Sequence, residues 1–218
     1  MTDPKPVIWT LPNVITVVRI AITPVIALLP FIQGYWPKVI CFVVFIIAAV
    51  SDVYDGYLAR SRNLVTDLGK ILDPLADKLL LLATIVPIYF ISRQREDVYG
   101  IPVWGSIPLW VCVLLIGREF AMTWFRHWAQ RRGVVIPAAG AGKLKTVFQN
   151  IFVGATILWF AFRDARKPLG WGGSRFAEWW NEFHGGFVAV SLAIATLLTL
   201  YSFAAYIYRY RELFAGKR

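Results

Sequence analysis

Four aspartates, two glycines, an alanine and an arginine fall at fixed spacing within residues 52–77: Asp52-x2-Asp55-Gly56-x2-Ala59-Arg60-x8-Gly69-x3-Asp73-x3-Asp77. The sequence around them is mostly apolar. An ionised carboxylate beside hydrocarbon is costly, so a cluster of them implies a partner, most simply a metal ion. All-oxygen donors, with no Cys/His ligand set, select hard cations such as Mg²⁺, Mn²⁺ or Ca²⁺ over zinc. Two divalent ions match four carboxylates and suit phosphoryl chemistry, where they clamp the attacking and leaving oxygens. Gly56, Ala59 and Gly69 have almost no side chain, which lets a bulky phosphate-bearing ligand approach the backbone. Arg60 can neutralise a phosphate. The competing explanation is that the small residues serve helix packing and the acids are surface charges. Eight specified positions in 26 residues argue against it. Asp67, outside the pattern, reads as a loop charge.

The elements that must position these residues are membrane helices. Of 218 residues, 58% are hydrophobic and only 17% charged. An average soluble domain is about 45–50% apolar and about 25% charged. Six apolar stretches, about 12–32, 36–58, 74–92, 103–128, 144–162 and 186–208, approach the ~20 residues that cross ~30 Å of hydrocarbon as a helix. The expected fold is therefore an all-α integral membrane protein of six transmembrane helices in one domain, 1–218. The first stretch carries Arg19 and no clear cleavage site, so it reads as a span and not a signal peptide. Loops are short except around 163–185. Cys41 and Cys112 sit in apolar runs and read as buried thiols without a disulfide or metal role.

On a helix, Asp52, Asp55, Gly56, Ala59 and Arg60 share one face at i, i+3, i+4, i+7 and i+8. Gly69, Asp73 and Asp77 share another if the third helix begins early. A polar turn at 61–68 would then bring both acidic faces together at one end of the bundle.

Charge sets the orientation. With the N-terminus cytoplasmic, sixteen of the 23 Lys and Arg lie on or toward that side, and seven (Lys38, Arg93, Arg95, Arg163, Arg166, Lys167 and Arg175) lie outside. The bias puts both termini and the acidic cluster in the cytoplasm of a multi-pass inner-membrane protein. Trp36, Trp104, Trp171, Trp179 and Trp180 fall near the outer ends, as an interfacial belt does. The positive-inside bias explains much of the net charge of +10, and attraction to anionic lipid headgroups is compatible with it. No aromatic-basic pattern points to nucleic acid.

Three further segments bear on ligands. Pro12-Asn13-x2-Thr16-x2-Arg19 opens the first span, with Asn13 and Thr16 at the spacing of a cap and its first turn. Arg19 in an apolar helix either meets an anionic ligand or snorkels to the interface. Gly117-Arg118-Glu119, with Arg126 and His127 beyond, lies in the fourth span; Arg118 and Glu119 either serve a ligand or pair within the bundle. His127 reads as interfacial, and Arg131 and Arg132 as cytoplasmic anchors. Gly142-Lys143-x-Lys145-Thr146 opens the fifth span as an anion site or as a positive-inside flank.

The motif in 52–77 resembles the signature of the CDP-alcohol phosphotransferase family at all eight positions. The resemblance implies a six-helix membrane enzyme, usually a homodimer, with two divalent ions (Mg²⁺ or Mn²⁺). Asp52, Asp55, Asp73 and Asp77 would hold the metals, and Asp77 would also be the base that takes the acceptor hydroxyl proton. Asp52, Gly56, Ala59, Arg60 and Gly69, with Asn13 and Thr16, would line the CDP-lipid site. Over residues ~10–150 the three accessory segments resemble the branch that makes phosphatidylglycerol phosphate. That branch implies CDP-diacylglycerol as donor and glycerol 3-phosphate as acceptor, within a membrane of other lipids. Arg118, Lys143, Lys145, Arg19 and Arg126 are then the candidates for the acceptor phosphate. Alternatives are a sister cardiolipin synthase using phosphatidylglycerol and, in other classes, an Asp-rich intramembrane prenyltransferase or a divalent-cation transporter.

Overall fold

The computed structural model describes residues 9–62, 64, 66–94, 96–134, 136, 140–166, 170 and 174–211. Six long helices account for most of them. Helix α1 (Leu11–Leu28) starts after an extended Thr10, with Pro12 in the first turn, where no amide partner is needed. It continues into a 3₁₀ turn at Leu29–Phe31. Gly34, at φ +118°, takes a conformation that favours glycine and starts α2 (Tyr35–Ser61). Helix α3 spans Asp67–Gln94. A single turn, α4 (Glu96–Tyr99), and a tight reversal at Ile101–Gly105 lead to α5 (Leu109–Arg131). Helices α6 (Gly140–Ala165) and α7 (Arg175–Arg209) complete the chain.

The long helices pack in a closed ring, α1–α2–α6–α7–α5–α3, with α3 also touching α6 across the middle. Phe45, Ile85, Leu115, Phe152, Trp159, Phe160 and Leu192 fill the core. Val18, Val25, Ile40, Ile47, Val50 and Leu197 face outward and exposed. An apolar exterior around an apolar core is the pattern of a bundle solvated by lipid, where every backbone amide must be satisfied within its helix. Five of the long helices are apolar enough to cross a membrane; α5, which carries Arg118, Glu119 and Arg126, is not among them. The protein is a multi-pass membrane protein.

Several boundaries depart from expectation. Helix α3 begins at Asp67, well before residue 74, because the Thr66 hydroxyl accepts from the Gly69 amide at 3.0 Å and caps the helix. Asn13 is not a cap: it lies inside α1, whose N-cap is Thr10. Helix α5 starts at Leu109, not 103, since 101–105 is used for the reversal. The long connection expected at 163–185 is largely helical. Ser174 Oγ accepts from the Ala177 amide at 3.2 Å and starts α7 there. Phe176 then stacks on Trp180 and Trp179 on Phe183 at helical spacing, and His184 meets Trp180 edge-on. At 35 residues α7 is about 50 Å long, more than a bilayer core needs. Of the expected interfacial belt and charge bias, Trp171, Lys5, Arg95, Lys167, Lys217 and Arg218 lie outside the described residues. Cys41 and Cys112 are free and buried, as expected.

The end of the bundle opposite the aspartate motif is tied by a buried ion pair. Lys38 Nζ donates to Asp164 Oδ2 at 2.6 Å and to the Ile32 carbonyl at 3.0 Å. Asp164 also accepts from the Gly34 amide at 2.7 Å and from the Tyr99 hydroxyl. This clasp joins α2, α4 and α6 with its charges and hydrogen bonds satisfied. Removing one partner strands the other, so Asp164→Ala should destabilise by about 3–5 kcal/mol. Thermal unfolding in detergent measures it; the double change Lys38→Met with Asp164→Leu should regain part of the loss. An unchanged midpoint for Asp164→Ala would mean that the clasp contributes nothing.

Candidate active site

The C-terminal half of α2 and the N-terminal half of α3 flank α1, which packs on both. Starting α3 at Asp67 places Gly69, Asp73 and Asp77 on successive turns facing the α2 aspartates. Two residues of α1 then bridge the acidic faces. Thr16 Oγ1 lies 3.3 Å from Asp55 Oδ2 and 3.0 Å from Asp73 Oδ1. Arg19 Nη1 donates to Asp52 Oδ1 and lies 3.4 Å from Asp77 Oδ1, while Nη2 lies 3.4 Å from Asp55 Oδ2. The four carboxylates therefore converge on one threonine and one guanidinium.

Exposure is graded across the cluster. Arg19 and Asp55 are buried, at 1% and 3% exposed, whereas the side chains of Asp52 and Asp77 are 40% and 58% exposed. The inner carboxylate is held in the bundle, and the outer pair is open to a ligand. All four donors are oxygen, the chemistry of a hard-cation site. Among the described residues, however, no three acidic, His or Cys side chains close into a metal cage. The guanidinium of Arg19 stands between them instead.

Two cavities open on either side of the cluster. The first, about 200 Å³, is lined by Asn13, Asp55, Gly56, Ala59, Arg60, Gly69 and Asp73, with Thr66 and Lys70. Arg60 folds back over Gly56: a Cβ there would sit 3.4 Å from Arg60 Nη1. The second, about 100 Å³, is lined by Arg19, Asp52, Asp77, Lys78, Glu119, Lys145, Thr146 and Gln149. Asp55 and Asp73 thus face one cavity, Asp52 and Asp77 the other.

The basic residues expected around the second cavity divide. Glu119 Oε1 accepts from Arg118 Nη1 at 2.7 Å and from Lys145 Nζ at 2.8 Å. Arg118 Nη2 also donates to Ser202 Oγ at 3.2 Å. Lys145 lines the cavity and Arg118 stands behind it through Glu119. Lys143 is exposed and does not line it, because two residues along α6 turn a side chain to the other face. Arg126, two turns beyond Arg118, is exposed and lines neither cavity. His127 is exposed as well.

A family model described as CDP-alcohol phosphatidyltransferase matches residues 9–201, which run from the start of α1 into α7 and include both cavities. The chain belongs to the CDP-alcohol phosphatidyltransferase family. Among family members, it is 35% identical over 148 residues to a CDP-diacylglycerol–glycerol-3-phosphate 3-phosphatidyltransferase of Rickettsia bellii, covering 68% of this chain and 75% of that one. It is 36% identical over 162 residues to the like-named protein of Bacillus subtilis, covering 69% and 77%. A cardiolipin synthase (CMP-forming) of rice is 35% identical over 169 residues, covering 76% of this chain and 50% of its own length.

Within this family fold, Thr66 and Lys78 escaped the sequence reading. Thr66 had a usable signal, a hydroxyl three residues before Gly69, the spacing of an N-cap. Its Oγ1 also meets Asn13 Nδ2 at 2.8 Å, which ties α1 to the start of α3. Lys78 had none beyond following Asp77. The Asn13–Thr66 contact requires glycine at 69, where a Cβ would lie 2.8 Å from Asn13 Oδ1 and 3.2 Å from Thr66 Oγ1. Gly69→Ala should therefore lower stability by about 1–3 kcal/mol, and adding Asn13→Ala should recover part of it. Unfolding midpoints of the two variants in detergent test this; an unaffected Gly69→Ala would show that α1 and α3 part without cost.

Proposed function

We propose that this protein transfers the phosphatidyl group of CDP-diacylglycerol to glycerol 3-phosphate, forming phosphatidylglycerol phosphate and releasing CMP. The observation that carries this reading is the pair of cavities meeting at Asp52, Asp55, Asp73 and Asp77, one glycine-lined and one cation-lined. The names of the Rickettsia and Bacillus relatives supply the donor and acceptor.

In this reading the nucleotide end of the donor occupies the first cavity, against Gly56, Ala59 and Gly69, with Arg60 and Asn13 at its edge. Acyl chains stay in lipid. Glycerol 3-phosphate enters the second cavity, where Lys145, Lys78 and Arg19 offer positive charge to its phosphate. Glu119 holds Lys145 and Arg118 in place. Asp77, the more exposed of the carboxylates beside Arg19, accepts the acceptor hydroxyl proton. The acceptor oxygen bonds to the lipid-side phosphorus as the bond to CMP breaks. Positioning and charge neutralisation would supply most of the rate, as in other phosphoryl transfers.

The donor set fits divalent ions in kind: four carboxylates from two helices, oxygen throughout, set between the two cavities. Two Mg²⁺ or Mn²⁺ ions held by them would neutralise the pyrophosphate and the departing CMP. The positive-inside bias supports placing this end and both termini in the cytoplasm, at the inner membrane. The family resemblance supports a homodimer.

The rice relative supports a second reading, a cardiolipin synthase with phosphatidylglycerol as acceptor. A small polar cavity, where Arg19, Lys78 and Lys145 stand beside Asp52, Asp77 and Glu119, supports a small phosphate monoester over a second diacyl lipid. CMP release from CDP-diacylglycerol by purified protein separates the two. Turnover is expected with glycerol 3-phosphate and Mg²⁺ or Mn²⁺, and to stop on chelation with EDTA. Turnover with phosphatidylglycerol alone would select the second reading.

Two variants extend the assay. Asp77→Asn should lower kcat by about 10³-fold or more while CDP-lipid binding persists; full activity would rule out Asp77 as the base. Lys145→Ala should raise KM for glycerol 3-phosphate by about tenfold or more. An unchanged KM would place the acceptor phosphate elsewhere.

A further inference from the structure

We propose that Arg19 competes with divalent ions for Asp52, Asp55 and Asp77, so that its charge sets how tightly these carboxylates take up metal. The inference rests on the metal reading above and goes beyond it, because that reading gives Arg19 no part in metal binding.

Arg19 is almost fully buried on an apolar helix, yet its two Nη atoms serve three carboxylates from two other helices. A guanidinium carries only donors and cannot lose its charge. It sits on Asp52 Oδ1, Asp55 Oδ2 and Asp77 Oδ1. A divalent ion bridging α2 and α3 needs oxygens of the same side chains. Two cations cannot share them at contact distance without strong repulsion in a site this sheltered.

Arg19 also differs from a purely structural ion pair. The Lys38–Asp164 clasp is closed, with both side chains at most 8% exposed and Asp164 bonded on both oxygens. By contrast, Asp52 and Asp77 are open on the cavity side. The Arg19 Nε is buried without a hydrogen-bond partner, so the fork is not fully satisfied where it lies. Arg19 itself lines the second cavity beside Lys78 and Lys145. The released head has a place to go, where a phosphate oxygen would meet it. Arg19 is thus a positioning residue: it pulls the carboxylates together and yields them to a stronger cation.

Calorimetric titration of Mn²⁺ into the detergent-purified full chain tests the proposal, with substrates absent. Arg19→Gln is expected to bind Mn²⁺ about tenfold tighter than wild type. Arg19→Lys, a compact charge that cannot fork across three carboxylates, is expected to fall between. Asp52→Asn is expected to bind more weakly. A residue that only organises the site would give the opposite result, so Arg19→Gln binding equally or more weakly overturns the proposal. Where Arg19→Gln is not monodisperse, Arg19→Lys decides: equal or weaker binding overturns it too. If wild type binds and Asp52→Asn does not, while both Arg19 variants match wild type, the metal reading stands and the competition falls. No Mn²⁺ binding by folded wild type removes both.

Discussion

Four carboxylates gathered at one end of an apolar bundle must be neutralised, and much else in the structure follows from how that is done. Without compensating charge, the repulsion between them and the loss of hydration would push α2 and α3 apart. Arg19 and Thr16 of α1 supply the compensation from a third helix. That requirement explains why α1 packs against both α2 and α3. It also explains an arginine in the middle of an otherwise apolar span. Gly69 serves the same end, because it lets Asn13 of α1 approach Thr66 and the start of α3.

The cluster divides the space around it. Its buried face, Asp55 with Asp73, belongs to a cavity floored by small residues; its open face, Asp52 with Asp77, belongs to one rimmed by cations. A large donor and a small anionic acceptor need different walls, backbone approach for one and fixed positive charge for the other. Placing both against one set of carboxylates brings the two reacting groups together, the larger part of what phosphoryl transfer asks of a protein. Glu119 illustrates a cost of the cation-lined side. Lys145 is 1% exposed, and a buried ammonium needs a compensating partner; Glu119 accepts from it at 2.8 Å and stands beside it in the cavity wall.

Much of the site was legible because helical periodicity is a local rule. The spacing of Asp52, Asp55 and Gly56, and of Gly69, Asp73 and Asp77, places each set on one face wherever the helix goes. What was not legible depended on contacts between helices. The sequence left Arg19 between a ligand and the interface, and neither alternative named the carboxylates it pairs with. Lys143 and Lys145 read alike as basic residues at a helix start, yet about half a helical turn separates a cavity wall from solvent. The start of α3 was misplaced because apolar content rises only after Pro74, whereas the helix is set by a capping threonine eight residues earlier. The same bias toward apolar content hid the first turns of α7, which are held by aromatic stacking and a serine cap.

The two ends of the bundle use similar chemistry to opposite effect. At one end Lys38 and Asp164 are closed off with their polar groups satisfied, and the result is a fixed joint between α2, α4 and α6. At the other, a single arginine is spread over three carboxylates, two of which remain open, and one of its own donors has no partner. An ion pair is rigid when both partners are saturated and dry; it is exchangeable when the anion outnumbers the cation and can be reached from outside. The surplus of carboxylate over guanidinium, three acids to one base in direct contact, leaves that end negative, which supports the proposed uptake of further cations. A bundle anchored at its closed end can change partners at its open end without losing its helix packing.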